Sequence, residues 1–190
     1  MPKFYTGRDF PASDIFVCGR RSQADQATLF SRRARMVPES SRISARIASA
    51  SASLATGGAS GIGLAATKAF IELGMNVMIA DLKGEKLKRA GDELAELAEK
   101  KGVKALAHAT DVSDLSELEE LECAANRAFG NIHVLMNNAG IQPGTAIFGK
   151  QIPWDRIIGV NLTGVINGTR IFAPEMRAHG EPAMIINTGS

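Results

Sequence analysis

Residues 56–63 read Thr-Gly-Gly-Ala-Ser-Gly-Ile-Gly, a stretch that only a few backbone paths can satisfy. Gly57, Gly61 and Gly63 follow a run of small residues and open an amphipathic segment. Glycine allows a sharp turn and, lacking a Cβ, lets the backbone come close to a phosphate. A helix that starts there aims its unpaired N–H groups and positive dipole end at an anion. The stretch therefore calls for a strand before it and a helix after it, and it implies a nucleotide phosphate site.

The sequence downstream supplies that alternation. Residues 61–73 carry Ile62, Leu64, Ala65, Ala69 and Phe70 as the expected inner face of a helix stopped by Gly74. Residues 76–80 predict a buried strand ending at Asp81. Residues 85–101 predict a helix with Leu87, Leu94 and Leu97 inward and Gly102 at its end; the charges over 85–104 form a solvated face. Residues 103–109 predict a strand that ends near Asp111. Asp114 is the expected N-cap of the next helix, with Glu117 as its capping-box partner. Leu115, Leu118, Ala125 and Phe129 should face inward along it, and Gly130 should close it. A fourth strand over 132–136, a long helix over about 153–179 and a fifth strand over 183–187 complete the series.

Apolar strands alternating with helices imply a parallel sheet covered on both faces. Right-handed crossovers then give a doubly wound, Rossmann-like α/β fold, which binds ligands at the carboxyl ends of its strands. The unusual residues gather at those ends: the glycine loop, Asp81, Asp111, Asn137 to Gly140, and Ser190. One element disagrees. The central strand would be Ala50-Ser51-Ala52-Ser53-Leu54-Ala55, with poor β-propensity and little to bury. Serine in place of a buried Val or Ile forgoes about 2 kcal/mol per site.

The first fifty residues are different in kind. They hold nine Lys/Arg against four Asp/Glu, whereas residues 51–190 hold thirteen against sixteen. Residues 1–50 show no helical or strand period and are rich in Arg and Ser. We read them as a basic, disordered extension, dispensable for folding, attached to a nucleotide-binding domain over 51–190. An Arg-rich, Ser-rich segment also resembles a mitochondrial transit peptide, although Asp9, Asp14, Asp25 and Glu39 weaken the match. A cytoplasmic location is the first reading and a mitochondrial one the alternative. The basic residues form no nucleic-acid motif, and no apolar run approaches membrane-spanning length. Cys18 and Cys123 make no disulfide framework, and Cys123 is expected to pack. His108, His133 and His179 lie on different elements without metal-ligand spacing, so no metal is expected. Trp154 is expected to pack near a helix start.

Together the motifs resemble the short-chain dehydrogenase/reductase family over residues 54–190. The glycine spacing is that family's T-G-x-x-x-G-x-G. Asn137-Asn138-Ala139-Gly140 follows the fourth strand, Asn161-Leu162-Thr163-Gly164-Val165 lies on the fourth-helix segment, and Ile185-Ile186-Asn187-Thr188-Gly189-Ser190 ends the fifth strand. The resemblance implies an NAD(P)-dependent oxidoreductase acting on an alcohol or ketone. Gly57, Ser60, Gly61, Ile62 and Gly63 would bind the cofactor pyrophosphate and its flanks, Asp81 the adenosine ribose hydroxyls, and Asp111 and Val112 the adenine edge. Asn138, Ala139 and Gly140 would support the cofactor and the central sheet. Asn161 would position a water in a proton relay, and Ser190 would hydrogen-bond the substrate oxygen. Asn161 in mid-helix is costly in propensity, which itself favours a functional role. NAD is expected over NADP: Asp81 would repel a 2′-phosphate, no Arg follows it directly, and the glycine loop has no cation, leaving Lys83 as the one softening residue.

The sequence also departs from the family. Its general acid/base Tyr, with a Lys four residues later, would lie beyond Ser190; the only tyrosine here is Tyr5, and no Y-x-x-x-K occurs. The 190 residues thus look like a truncated member, inactive as they stand, with strand 183–187 left as an uncovered edge. The alternatives are a non-catalytic nucleotide-binding or interaction protein, or a non-functional truncated product. A full-length relative would be expected to form homo-oligomers.

Overall fold

The structure is a computed structural model that describes residues 15–18, 51–143 and 154–189. Six strands appear among them: β1 (Ile15–Cys18), β2 (Ala52–Thr56), β3 (Asn76–Asp81), β4 (Ala105–Ala109), β5 (Ile132–Asn137) and β6 (Met184–Thr188). The helices are α1 (Gly61–Glu72), α2 (Glu85–Lys101), α3 (Leu115–Phe129), α4 (Trp154–Ile158) and α5 (Gly164–Ala178), with a π-helical turn, Gly159–Thr163, joining the last two. The sheet runs β1-β6-β5-β2-β3-β4 and every neighbouring pair is parallel. From β2 the chain winds one way through β3 and β4, then returns to the other side through β5 and β6. The reversal opens a crevice between the carboxyl ends of β2 and β5, where such folds bind ligands. This is the doubly wound, Rossmann-like sheet that the alternation predicts.

Alternate residues of the central strands β2, β3 and β5 feed two cores. Leu54, Met78 and Leu135 pack with Leu118, Leu121 and Phe172 of α3 and α5. Ala55, Ile79 and Met136 pack with Phe70, Ile71 and Leu94 of α1 and α2 on the other face. The unpromising β2 is the most completely buried strand, serines included. Its large neighbours fill the space that its small side chains leave, and the Ser53 hydroxyl donates to the Asn76 carbonyl at 3.5 Å. That bond gives the buried hydroxyl a partner, while the apolar burial that serine forgoes is supplied by the neighbouring strands.

The expected inner faces of the helices hold in large part: Leu87 and Leu94 of α2 and Leu118 and Ala125 of α3 are buried. In α1 the buried residues are Gly63, Ala66, Thr67, Phe70 and Ile71, while Ile62, Leu64, Ala65 and Ala69 are half-buried. The close fit of Gly63 against the loop sets the orientation of this helix. Leu115, expected inward, is exposed, as is Trp154. Cys123 is exposed rather than packed. β4 is the sheet edge, so Leu106 is exposed instead of covered. Strand β6 is not an edge: the backbone of Ile15–Cys18 pairs with it from Ile15 opposite Ile185 to Cys18 opposite Thr188. A strand therefore stands within the segment that has no strand period in sequence; residues 1–14 and 19–50 lie outside the described residues. Among the described residues no helix is long and apolar enough to cross a membrane.

At the amino ends of the strands, two histidines that look scattered in sequence come together. Ala52 pairs with Ile132 but Ser53 with Val134, so His133 is the extra residue of a bulge. Its Nδ1 accepts the Ala52 N–H at 3.2 Å, so Nε2 carries the proton and donates to Glu181 Oε2 at 2.8 Å. Asn131 donates to Glu181 Oε1 at 3.1 Å. His179 accepts the Glu181 N–H on Nδ1 and donates from Nε2 to the Ile132 carbonyl, its ring 5.2 Å from that of His133. The Nδ1 lone pairs are thereby spent on the backbone.

The hydrogen bond from His133, followed by that from Asn131, holds the Glu181 carboxyl below its ordinary value of 4.5. A depressed carboxylate stabilises the fold above its unfolded-state value, and that contribution is lost as pH falls through the folded-state value. Glu181→Gln should therefore flatten the loss of stability between about pH 6 and about pH 3, read from urea midpoints across that range. A variant that loses stability as steeply as the parent would contradict this. A second expectation concerns α5. A Cβ at Gly168 would lie 2.5 Å from Asn137 Oδ1. Asn137 is buried and held by its own bonds to Thr169 Oγ1 (3.2 Å) and Asn187 Oδ1 (2.9 Å). Gly168→Ala should lower unfolding stability by about 1–3 kcal/mol, the overpacking cost exceeding the roughly 1 kcal/mol that alanine gains in a helix. A stabilising shift of the urea midpoint would overturn it.

Candidate cofactor and catalytic site

β2 ends at Thr56, residues 57–60 turn, and α1 begins at Gly61. A Cβ on Gly63 would sit 2.4 Å from the Gly57 carbonyl oxygen and 2.7 Å from Asn138 Nδ2, so only glycine lets the loop fold this tightly. Gly61 has φ +52° and would point a Cβ into open space, so its demand for glycine is conformational. Ser60, at the N-cap, makes no side-chain capping bond, and the first turn of α1 holds no acidic residue. The first N–H groups of α1 and its positive dipole end thus face the crevice unopposed, an arrangement suited to an anion.

The ends of β2 and β5 knot this loop to the sheet. Thr56 Oγ1 accepts the N–H groups of Asn138 and Ala139 at 3.0 and 3.1 Å and reaches the Met136 carbonyl at 3.4 Å. Asn138 Nδ2 donates to the carbonyls of Thr56 and Gly57 at 3.1 and 3.3 Å. Its Oδ1 accepts from the Thr188 hydroxyl at 3.2 Å. One side chain thereby joins β2, the glycine loop and β6. The sequence reading assigned support to Asn138 but no role to Thr56 or Thr188. Both end their strands at the carboxyl edge, and Thr56 is also the first residue of the T-G-x-x-x-G-x-G motif, the signals that could have marked them.

Asp81 ends β3 beside the loop. Its Oδ2 accepts the Ala59 N–H at 3.0 Å and its Oδ1 the Leu82 N–H at 2.9 Å. The next strand end is tied on by the Thr110 N–H, which donates to the Asp81 carbonyl at 2.8 Å. Asp111 Oδ1 accepts from both the N–H and the hydroxyl of Ser113, at 2.9 and 2.6 Å. Asp114 caps α3 as expected, and its bonds from Ser116 keep its carboxyl below the usual range. The expected capping box is not reciprocal, however: Glu117 turns away and accepts the Asp111 N–H at 2.6 Å. Val112 is buried against α5, where a Cβ on Gly164 would approach its Cγ2 to 2.9 Å.

Asn161 lies in the π-helical turn, across from the segment that follows β5. Its Oδ1 accepts the Ile141 N–H at 2.8 Å and its Nδ2 donates to the Ile141 carbonyl at 2.9 Å. Gly140 is adjacent: a Cβ there would lie 3.6 Å from Asn161 Oδ1. The expected residues thus converge on one end of the sheet, with the glycine loop, Asp81, Asp111, Val112, Asn138, Ala139, Gly140 and Asn161 all around the crevice. Ser190 lies outside the described residues.

Comparison with known proteins matches this geometry. The sequence model of the short chain dehydrogenase family covers residues 52–190. The chain is 34% identical over 140 residues to 3beta-hydroxysteroid dehydrogenase 2 of Eggerthella lenta, covering 71% of this chain and 51% of that protein. It is 36% identical over 142 residues to the C alpha-dehydrogenase of a Sphingobium species, covering 71% and 44% respectively. A short chain dehydrogenase/reductase from Burkholderia phymatum, solved in complex with NAD, superposes with a TM-score of 0.68 at 35% identity, covering 75% of this chain and 50% of that one. The chain spans about half the length of the curated relatives it matches. With the family's sequence model covering everything from β2 onward, and with 35% identity to a solved member that superposes on it, the chain belongs to the short-chain dehydrogenase/reductase family.

Proposed function

We propose that the crevice binds a nicotinamide dinucleotide, NAD in preference to NADP, for oxidoreduction of a small alcohol or ketone. The observation that carries this reading is the pairing of an uncapped α1 N-terminus with the Asp81 carboxylate beside it. Gly57, Ser60, Gly61, Ile62 and Gly63 would hold the pyrophosphate through backbone N–H groups and the helix dipole. Asp81 would accept from the ribose hydroxyls, and Asp111 and Val112 would border the adenine. Asp111 keeps its Oδ2 outside the bonds from Ser113, so that oxygen could take a base amine. The relative solved with NAD supports the class of cofactor, and the hydroxysteroid dehydrogenase among the relatives supports an alcohol/ketone pair. When bound, the nicotinamide supplies or accepts the hydride.

The chain's own groups orient and exchange protons. Both ends of the Asn161 amide are committed to Ile141, so a relay water would meet a main-chain carbonyl of the π turn instead. A π turn makes this possible because its longer bonds displace carbonyls from the α-helical ladder. Ser190 would donate to the substrate oxygen. A polypeptide of these 190 residues carries no Y-x-x-x-K and would bind without turnover, because a Tyr hydroxyl with its pKa of about 10 needs a neighbouring cation to act near neutral pH, and an unactivated Ser is a poor base.

Two measurements check this. In fluorescence titrations NADH should bind at least about tenfold more tightly than NADPH, since Asp81 meets the 2′-phosphate as a like charge at short range. Tighter NADPH binding would refute the preference. With a panel of secondary alcohols, the 190-residue polypeptide should form no NADH, whereas the same chain extended by a family-type tail containing Y-x-x-x-K should. Comparable turnover by both would require a different general acid.

A further inference from the structure

We propose that Asp81 is also a strut of the glycine loop, and that this role is separable from its contact with ribose; the proposal rests on the reading of the crevice as a nucleotide site. The loop is turned back on β3 at two consecutive amides. The Gly58 N–H donates to the Ala80 carbonyl at 3.2 Å, and the Ala59 N–H donates to Asp81 Oδ2 at 3.0 Å. Ala59 itself is buried, so its amide has little water to fall back on. With these two N–H groups drawn inward, those from Ser60 onward are left to face the crevice. Removing the Asp81 acceptor orphans the Ala59 amide and frees the 58–59 peptide to rotate outward, into the space a diphosphate would occupy. Diphosphate affinity should therefore depend on Asp81 even when the ligand has no ribose hydroxyl for it to read.

Two variants separate the parts. Asp81→Asn and Asp81→Ala both remove the negative charge, and with it any repulsion of phosphate. Asparagine keeps an acceptor oxygen for the Ala59 amide and turns its NH₂ toward the Leu82 amide, on a residue exposed enough to be served by water. Alanine keeps no acceptor. The difference between the variants thus isolates the strut, and 2′,3′-dideoxy-ADP, which has a diphosphate and no ribose hydroxyls, isolates the loop.

The test is calorimetric binding of ADP and of 2′,3′-dideoxy-ADP to the 190-residue protein and both variants, with amide hydrogen exchange on the ligand-free forms. The strut predicts that Asp81→Ala binds dideoxy-ADP at least about fivefold more weakly than Asp81→Asn. It also predicts faster exchange of the Ala59 amide in Asp81→Ala, with the Leu135 amide of β5 unchanged as a control. Equal dideoxy-ADP affinity in the two variants together with unchanged Ala59 exchange would overturn it, and Asp81 would then read ribose alone. If the wild-type chain binds neither nucleotide, the reading of the crevice fails, and the exchange rates still decide whether the strut exists.

Discussion

Everything at the carboxyl edge depends on how closely the glycine loop packs against the ends of β2 and β5. Doubly wound topology pulls these two strands' connections in opposite directions and leaves a crevice between them. Backbone groups beside that crevice lose sheet partners, and a buried amide without a partner costs about 1–3 kcal/mol. Thr56 and Asn138 supply those partners. They satisfy the amides of Asn138 and Ala139 and the carbonyls of Thr56 and Gly57 in one cluster of bonds. The price is space: Asn138 Nδ2 and the Gly57 carbonyl stand where a side chain at residue 63 would begin. The glycine spacing of the motif is thus the steric imprint of a hydrogen-bonding problem at the switch point.

The opposite edge solves the same problem by closing. At the amino ends, His133 and His179 present Nδ1 as acceptors to backbone amides and Nε2–H as donors to Glu181 and the Ile132 carbonyl. The bulge at His133 is what turns its ring toward Ala52. One edge is sealed by side chains that take up both kinds of backbone group. The other leaves the first turn of α1 without a cap, and an exposed row of oriented N–H groups at a helix start is what makes that edge receptive to anions.

Much of this was legible from the sequence, and the limits have a physical pattern. Alternating apolar segments, the strand ends and the glycine loop all register locally, within a turn or a strand, and they gave the sheet and the residues around the crevice. What sequence concealed depends on partners far along the chain. Ser51 and Ser53 make β2 look unfit for a central strand because hydropathy counts a strand's own side chains; Met78, Ile79, Leu135 and Met136 on its neighbours do the filling. The inner face of α1 is wider than its apolar pattern suggests: Phe70 is buried as expected, but Gly63 and Thr67, which hydropathy does not mark, are buried with it. Glu117 has the spacing of a capping box, yet a backbone amide three residues before the cap takes its carboxylate. The His133 bond to Ala52 spans 81 residues and leaves no local trace. The strand at Ile15–Cys18 likewise exists only through β6 beside it.

The helical segment after β5 shows how packing and chemistry share residues. Gly164 and Gly168, one turn apart on α5, let the helix come down onto Val112 and Asn137, where a methyl group would clash at either point. A helix pinned this closely cannot slide to bring a chosen side chain to the crevice. The π turn just before it takes up the mismatch by inserting one residue's worth of rotation. That rotation places the Asn161 amide flat against Ile141, where it satisfies both backbone groups of a segment that has left the sheet. The side chain acts as a splint between the irregular turn and that segment. A mid-helix asparagine, costly in propensity, thus steadies a helical irregularity next to the site by bonding the segment across from it.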